Sequence, residues 1–319
     1  MQNCKETDTL FSTGYKLERS AKGSLGTEFK NAALYKSIVG GLQYLILTRP
    51  NIAYSVHKLS QYLSAPTLQH WLTCKKVLRY LQATVTYGLY IQQEGTLETI
   101  RLTEYSDADW ACDINDRKSI RAYCIFLSNN LVFWSSKKQA IVAKSSTESE
   151  YRALSAASSE ISWLQSLFSE LNITKLPTHV LWCDNQSAKD LARNPVFHSR
   201  SKHIELDTHY IIDKVLNKEL EVRYIPTKEQ VAHVLTKPLS FPKFSYFWSK
   251  LTVISRPLSL RRDVKEAHMC RMVSEAEDCN TCSSQIQVDD MACQVESGGF
   301  VISCHVKISK ICYSIPCAH

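Results

Sequence analysis

The feature that most limits how this chain folds is a change of hydrophobic period near Ile100. Upstream, apolar residues recur at helical spacing; from there on, Ile100, Leu102 and Glu104 alternate with Arg101, Thr103 and Tyr105, the period of a strand. Leu34 to Leu47 reads as one helix. Thr48 to Asn51 interrupts it, and Pro50 suits the first turn of a second helix carrying Ile52, Val56, Leu59 and Leu63. Pro66 ends that helix, and a third comes next with Leu68, Trp71, Leu72, Leu78 and Leu81 beside Lys75, Lys76 and Arg79.

Beyond the change, Arg121 to Ser128 and Leu131 to Ser135 read as strands joined by a tight Asn129-Asn130 turn. A long helix spans about Thr147 to Leu171, a buried strand Val180 to Asp184, and a helix opens at Asn185. Another helical run near Asp207 to Leu216, a strand at Leu220 to Ile225 and a short helix at Lys228 to Leu235 complete the unit. This order predicts an α/β fold with a mixed five-stranded sheet and flanking helices, preceded by a small helical unit. Past about Arg256 periodic apolar faces run out. The expected division is a polar segment 1–33, a helical unit 34–94, the α/β domain 95–240, and a Cys-rich, poorly ordered extension 241–319.

At 319 residues the chain has room for one large domain or two modest ones. Its net charge is +7; the segment from Arg256 onward holds 7 basic and 8 acidic residues, so the body carries the whole excess. Such a balance suits a polyanionic partner. Seven of the twelve cysteines lie in the last fifty residues, so the body has no disulfide framework, and its cysteines are expected to be reduced. No apolar run is long enough to cross a bilayer, and the start MQNCKETDTLF has no secretory pattern. The expectation is an intracellular protein, cytoplasmic or nuclear, with no membrane partner.

Asp107 and Asp184 stand at the ends of two predicted strands, where α/β sites are built. On the long helix Glu150, Leu154, Ala157, Ile161, Leu164, Phe168 and Leu171 share one stripe, which turns Glu150 toward the sheet. Glu148 falls on another face, three residues after Ser145, the spacing of a capping box. A carboxylate on a buried stripe is costly unless paired, and three converging acids could hold two divalent ions about 3.5–4 Å apart that hydrolyse a phosphodiester. Strand-end acids serving only as turn or cap residues are the equally open structural alternative.

The strings YSDADWACDINDRKS from Tyr105, WSSKKQAIVAKSSTESEYRALS from Trp134, LWCDNQSAKDLARNPVFHSRSKHIELDTHY from Leu181 and IPTKEQVAHVLTKPL from Ile225 together resemble the ribonuclease H domain of copia-type retrotransposon polyproteins. Upstream, YKSIVGGLQYLILTRPNIAYSVHKLSQYLSAPTLQHWLTCKKVLRYLQATVTYGL from Tyr35 resembles the segment joining reverse transcriptase to that domain. The polymerase's own catalytic Asp-Asp segment is absent, so polymerisation is not expected. The resemblance implies a two-metal endonuclease that hydrolyses the RNA strand of RNA–DNA hybrids. It implies two Mg²⁺, with Mn²⁺ able to substitute, and a reverse transcriptase partner in the parent polyprotein. The family's metal-binding acids fall on Asp107, Glu150 and Asp184, and its fourth on His233, where an imidazole replaces a carboxylate. Cys112 and Ala122 stand where the family usually has Gly. These departures motivate the alternative of a degenerate remnant that binds nucleic acid without cleaving it.

Other signals point less sharply. Lys75, Lys76 and Arg79 could track a phosphate backbone or form an ordinary solvated helix face. His198, His203, Glu205, Asp207 and His209 are dense in ligand types, but their helical phases diverge. Asp109, Asp113 and Asp116 read as exposed turn acids. Cys279 and Cys282 have zinc-knuckle spacing without a matching second half.

Overall fold

Helices begin where an apolar stripe meets a capping side chain. In α1 (Ala32–Leu45) Asn31 accepts the Leu34 N–H at 2.9 Å; α2 (Ala53–Ser60) enters through a 3-10 turn that starts at Pro50. Thr67 caps α3 (Leu68–Ala83), its N–H donating to His70 Nδ1. The computed structural model describes residues 7–11, 14, 17–19, 28–93, 100–173, 177–193, 205–255, 287–296 and 299–307, the last two ranges as backbone alone.

After α3 come β1 (Tyr87–Gln92), β2 (Leu102–Asp109), β3 (Ile120–Leu127), β4 (Asn130–Lys138), α4 (Ser146–Glu170), β5 (His179–Cys183), α5 (Gln186–Arg193), α6 (Glu205–Leu216) and β6 (Leu220–Tyr224). A 3-10 turn, Val231–Leu235, leads to α7 (Phe241–Lys250) and β7 (Val253–Ser255), then β8 (Gln287–Glu296) and β9 (Gly299–Lys307). The main sheet has five strands in the order β4-β3-β2-β5-β6. Strands β2 to β4 are antiparallel neighbours, while β5 and β6 run parallel to β2. This is the α/β architecture, a mixed five-stranded sheet with flanking helices, that the sequence order predicts.

Two cores clasp this sheet, and β3 shows why both exist. Its Tyr123 and Ile125 join Leu154, Ala157 and Ile161 of α4, whereas Ile120, Ala122, Cys124 and Phe126 join the core of α1 to α3. That second core also takes in Val231, Ala232, Val234 and Leu235 of the 3-10 turn, and Phe244 and Phe247 of α7. The helical unit and the sheet domain therefore share one apolar interior.

Polar contacts cross the same junction. His57 of α2 accepts the Lys138 N–H at 3.0 Å, and Lys58 reaches Asp113 Oδ2 at 3.2 Å. Lys138 Nζ binds Asp113 at 2.8 Å and Asp116 at 2.9 Å. Asp113 is thus a buried double ion pair rather than an exposed turn acid, a correction that stems from the helical unit covering its loop. Asp116 is half-buried and paired with Lys138, so it too is more enclosed than the exposed turn acid expected.

Four further expectations change. The hairpin turn is Ser128-Asn129, with Ser128 at φ +55; Asn130 begins β4, where its amide bonds Gln92 N and O at 2.6 and 3.0 Å. Leu10, Phe11 and Leu17 of the supposedly patternless first segment are buried in the shared core. The extension drawn from 241 opens with α7, whose aromatic residues seal that core, so this part belongs to the folded body. Farther on, β8 and β9 pair with each other, and β9 pairs with β1, giving a second sheet of order β7-β1-β9-β8 where a poorly ordered tail was expected. The alternation of Phe300, Ile302, Cys304 and Val306 suits such a strand.

Neither non-glycine substitution strains the backbone. Ala122 is ordinary buried strand, and the left-handed residues of its neighbouring loop are Ala111, at φ +49, and Arg117, at φ +55, not Cys112. No helix is long and apolar enough to cross a membrane, among the described residues.

Removing one partner of a buried pair leaves uncompensated charge, so Asp113→Ala should destabilise the chain by about 3–5 kcal/mol in a denaturant titration. Burial foremost, then Lys58, Lys138 and Lys137, pushes His57 down to about 4 from the usual 6.5. His57 is neutral in the folded chain and protonates more readily once unfolded. Its contribution is therefore complete above about pH 6.5 and lost as pH falls toward 4. His70 and His179 are lowered to about 4 as well. The fall in melting temperature between pH 7 and 4.5 should be shallower, but not flat, in His57→Gln.

Candidate metal centre

Parallel pairing of β2 and β5, with Tyr105 opposite Trp182, brings the two strand ends to the same sheet edge. Asp107 lies near the end of β2, and Asp184 directly succeeds β5. Glu150 comes from the first turns of α4, whose start is set by Ser145: its hydroxyl accepts the Glu148 N–H at 3.1 Å. Glu148 has a structural role, but not the full capping box anticipated for it: its carboxylate accepts from Lys144 N, one residue before the cap, and pairs with Arg152. It is nevertheless mostly buried.

His233 arrives from the other side, on the 3-10 turn after β6. Buried Gln230 fastens that turn to β2 by donating Nε2–H to the Ser106 carbonyl at 2.9 Å, while its Oε1 accepts the Ala232 N–H. His233 Nε2 then stands 3.2 Å from Asp184 Oδ2 and 3.4 Å from Asp107 Oδ1, out of line with both for a hydrogen bond. One ligand atom each from Asp107, Asp184 and His233 lie within 4.8 Å of one another. The structure thus brings together the residues expected from the sequence, with Glu150 beside them.

Three residues not anticipated complete the surroundings. The Thr236 hydroxyl donates to Asp107 Oδ2, and Lys237 Nζ lies 3.5 Å from the same oxygen. Gln230 is the third. All sit in the IPTKEQVAHVLTKPL string, which has no strand or helix period to assign them a direction.

Electrostatics differ among the acids. Burial pushes Asp107 upward, but His233, Lys237 and Thr236 prevail and hold it below the usual carboxylate range. Glu150 is pushed far above that range, by burial first and then by Asp107 and Asp184, against one Ala108 N–H that favours its charged form. Burial works to lower His233, and the two carboxylates overcome it, raising it above 6.5.

Two buried polar atoms here, Glu150 Oε2 and His233 Nε2, have no hydrogen-bond partner. Buried polar atoms are usually satisfied, and a carboxylate-rich set with one imidazole is chemically suited to a divalent cation. The donor set therefore fits a metal.

Lys75, Lys76 and Arg79 lie half-buried on α3, away from this cluster, and so form no freely solvated basic face. Of the dense histidine and acid stretch, His198 and His203 lie outside the described residues; Asp207 is committed to Ser155 and Arg152. Cys279 and Cys282 also lie outside them.

No family model matches the chain. Over 259 residues, 81% of its length, it is 44% identical to the retrovirus-related Pol polyprotein from transposon RE2 of Arabidopsis thaliana. It is 45% identical over 234 residues, 73% of its length, to that from transposon RE1 of the same plant. These matches span 17% and 16% of the two polyproteins, so the chain corresponds to less than a fifth of their length. Among solved structures it is similar to LC11-RNase H1 in complex with an RNA/DNA hybrid, at 14% identity and TM-score 0.34, covering 43% of this chain and 94% of that one.

Because burial and the neighbouring Asp107 and Asp184 push Glu150 far above the usual carboxylate range, Glu150→Gln should cost little melting temperature in chelator yet reduce the upward shift on adding Mn²⁺. Asp107→Asn should instead lower the metal-free stability by about 1.5–3 kcal/mol, since it strips charge from bonds that Thr236, Lys237 and His233 all make. Differential scanning calorimetry in both conditions separates the two.

Proposed function

This chain belongs to the retrovirus-related Pol polyproteins of copia-type transposons, and from that premise we propose that it is their ribonuclease H-like endonuclease segment, hydrolysing the RNA strand of RNA–DNA hybrids. The observation that carries the reading is the convergence of Asp107, Glu150 and Asp184 from three separate elements, with His233 completing a set of buried donors. Asp107, Asp184 and His233 would hold the divalent ion, Mg²⁺ or Mn²⁺, with Glu150 beside them. A bound ion of this kind supplies a Lewis acid and an acidified water for attack on a phosphodiester.

The chain's own groups have separable tasks. Gln230 and Thr236 fix the positions of His233 and Asp107, so that the donors are ordered before substrate arrives. Glu150, pushed far above the usual carboxylate range by burial and then by Asp107 and Asp184, is suited to hold a proton at the sheet edge. Selection of a hybrid would come from backbone shape and 2′-hydroxyl contacts. In a full polyprotein the reverse transcriptase would be the natural partner.

A second reading is favoured by one observation: His233 stands in the fourth acid position and Lys237 already neutralises Asp107. On that reading the segment binds hybrids without cutting them.

The test is cleavage of an end-labelled RNA–DNA hybrid by the full chain in Mg²⁺ and in Mn²⁺. We expect cutting of the RNA strand that falls by at least about 100-fold in Asp107→Asn, the size of losing a principal transition-state stabiliser. A folded wild type that binds hybrid, cuts nothing, and begins to cut as His233→Asp would establish the second reading.

A further inference from the structure

We infer that this centre takes one divalent transition ion of the Mn²⁺ class, with the Lys237 ammonium standing where a second ion would otherwise bind. The inference rests on reading the cluster as a metal centre and departs from the two Mg²⁺ that the family resemblance implies.

The argument starts from Asp107. Two ions at about 3.5–4 Å need a carboxylate shared between them. Asp107 lies between the other donors, but its two oxygens are not equivalent. Oδ1 faces His233 Nε2 at 3.4 Å; Oδ2 accepts from Thr236 and has Lys237 Nζ at 3.5 Å. Only one of its oxygens is thus turned toward Asp184 and His233. A second cation seeking Oδ2 would have to displace a hydroxyl donor and approach a fixed positive charge within a few ångströms, where like charges repel strongly in a buried site.

Charge supply points the same way. Where the family has a fourth acid, His233 contributes a ligand nitrogen and no negative charge. Asp107 and Asp184 already face one ammonium, which leaves too little negative charge among the clustered donors for two divalent ions. The three donor atoms within 4.8 Å, two oxygens and one nitrogen, form one set around one point. Imidazole nitrogen binds Mn²⁺ and later first-row ions better than it binds Mg²⁺, which keeps to oxygen ligands.

The buried atoms without partners fit this count. His233 Nε2 and Glu150 Oε2 are each closed off from solvent, and an ion seated among Asp107, Asp184 and His233 would satisfy the first of them. Lys237, partly exposed at the rim, needs no such partner because it already has Asp107.

Titration calorimetry of the full chain with MnCl₂, together with low-temperature electron paramagnetic resonance of the bound Mn²⁺, tests the inference without any activity assay. We expect one Mn²⁺ per chain and the spectrum of an isolated ion. Lys237→Met, with its fold checked by circular dichroism, should bind a second Mn²⁺ and show a spin-coupled pair. His233→Asp should shift the ratio of Mn²⁺ to Mg²⁺ affinity toward Mg²⁺ by roughly tenfold. Two coupled Mn²⁺ in the wild type would overturn the single-ion inference and leave the nuclease reading standing. One ion in Lys237→Met would overturn the part given to the ammonium. No ion bound by the folded wild type would overturn the metal centre itself, and with it the proposed function.

Discussion

Everything at the sheet edge depends on the sheet being covered on both faces. α4 buries one face, and α1 to α3 with α7 bury the other, so that β3 has no solvent side. The 3-10 turn that carries His233 is apolar because it packs into this second core, through Val231, Ala232, Val234 and Leu235. A histidine between two carboxylates would be a solvated, mobile group if that turn were exposed. The helical unit thus supports the turn that carries His233, while the imidazole itself meets Phe247 of α7 edge-on. Cutting the chain between the helical unit and the α/β domain would expose Ile120, Ala122, Cys124 and Phe126 together with that turn.

Local structure then converts this cover into geometry. Ser145 starts α4 at the residue that gives Glu150 its phase, and the β2–β5 register levels Asp107 with Asp184. Gln230 ties the turn to the middle of β2 through a single carbonyl. Four donors from four elements meet because each element is fixed by its own cap, register or side-chain tether, so the donor set is ordered without help from a ligand.

The elements that were legible in the sequence are those with a period. The stripe from Glu150 to Leu171 and the alternation through Leu102 placed α4, β2 and the three acids correctly, and the family strings added His233. What stayed hidden has no period. Asp113 sits in a loop whose burial depends on a helix some fifty residues earlier, and nothing local distinguishes it from Asp116. Thr236 and Lys237 come after a turn too short to show a face. Leu10, Phe11 and Leu17 are sparse apolar residues in a polar stretch, buried because they reach side chains far along the chain, among them Tyr54 and Tyr62. Long-range cover, not local pattern, decides each of these.

The buried acids show how the same burial leads to different chemistry according to the cations nearby. Asp113 has two lysines and is held far below the usual carboxylate range, so it works as a fixed charge joining two units. Asp107 has Lys237 and His233 and also stays ionised. Glu150 has one backbone N–H and Lys237 in its favour against burial and two carboxylates, and Glu104, under α4, has no hydrogen-bond partner and Glu160 as its charged neighbour among the described residues. Both are driven well above that range, by burial first. Glu104 can remain protonated at no functional cost, because nothing at the sheet edge calls on it. Glu150 stands beside Asp107, Asp184 and His233, so a cation bound there would favour its charged form and would tie metal affinity to the burial of this residue under the α4–sheet packing.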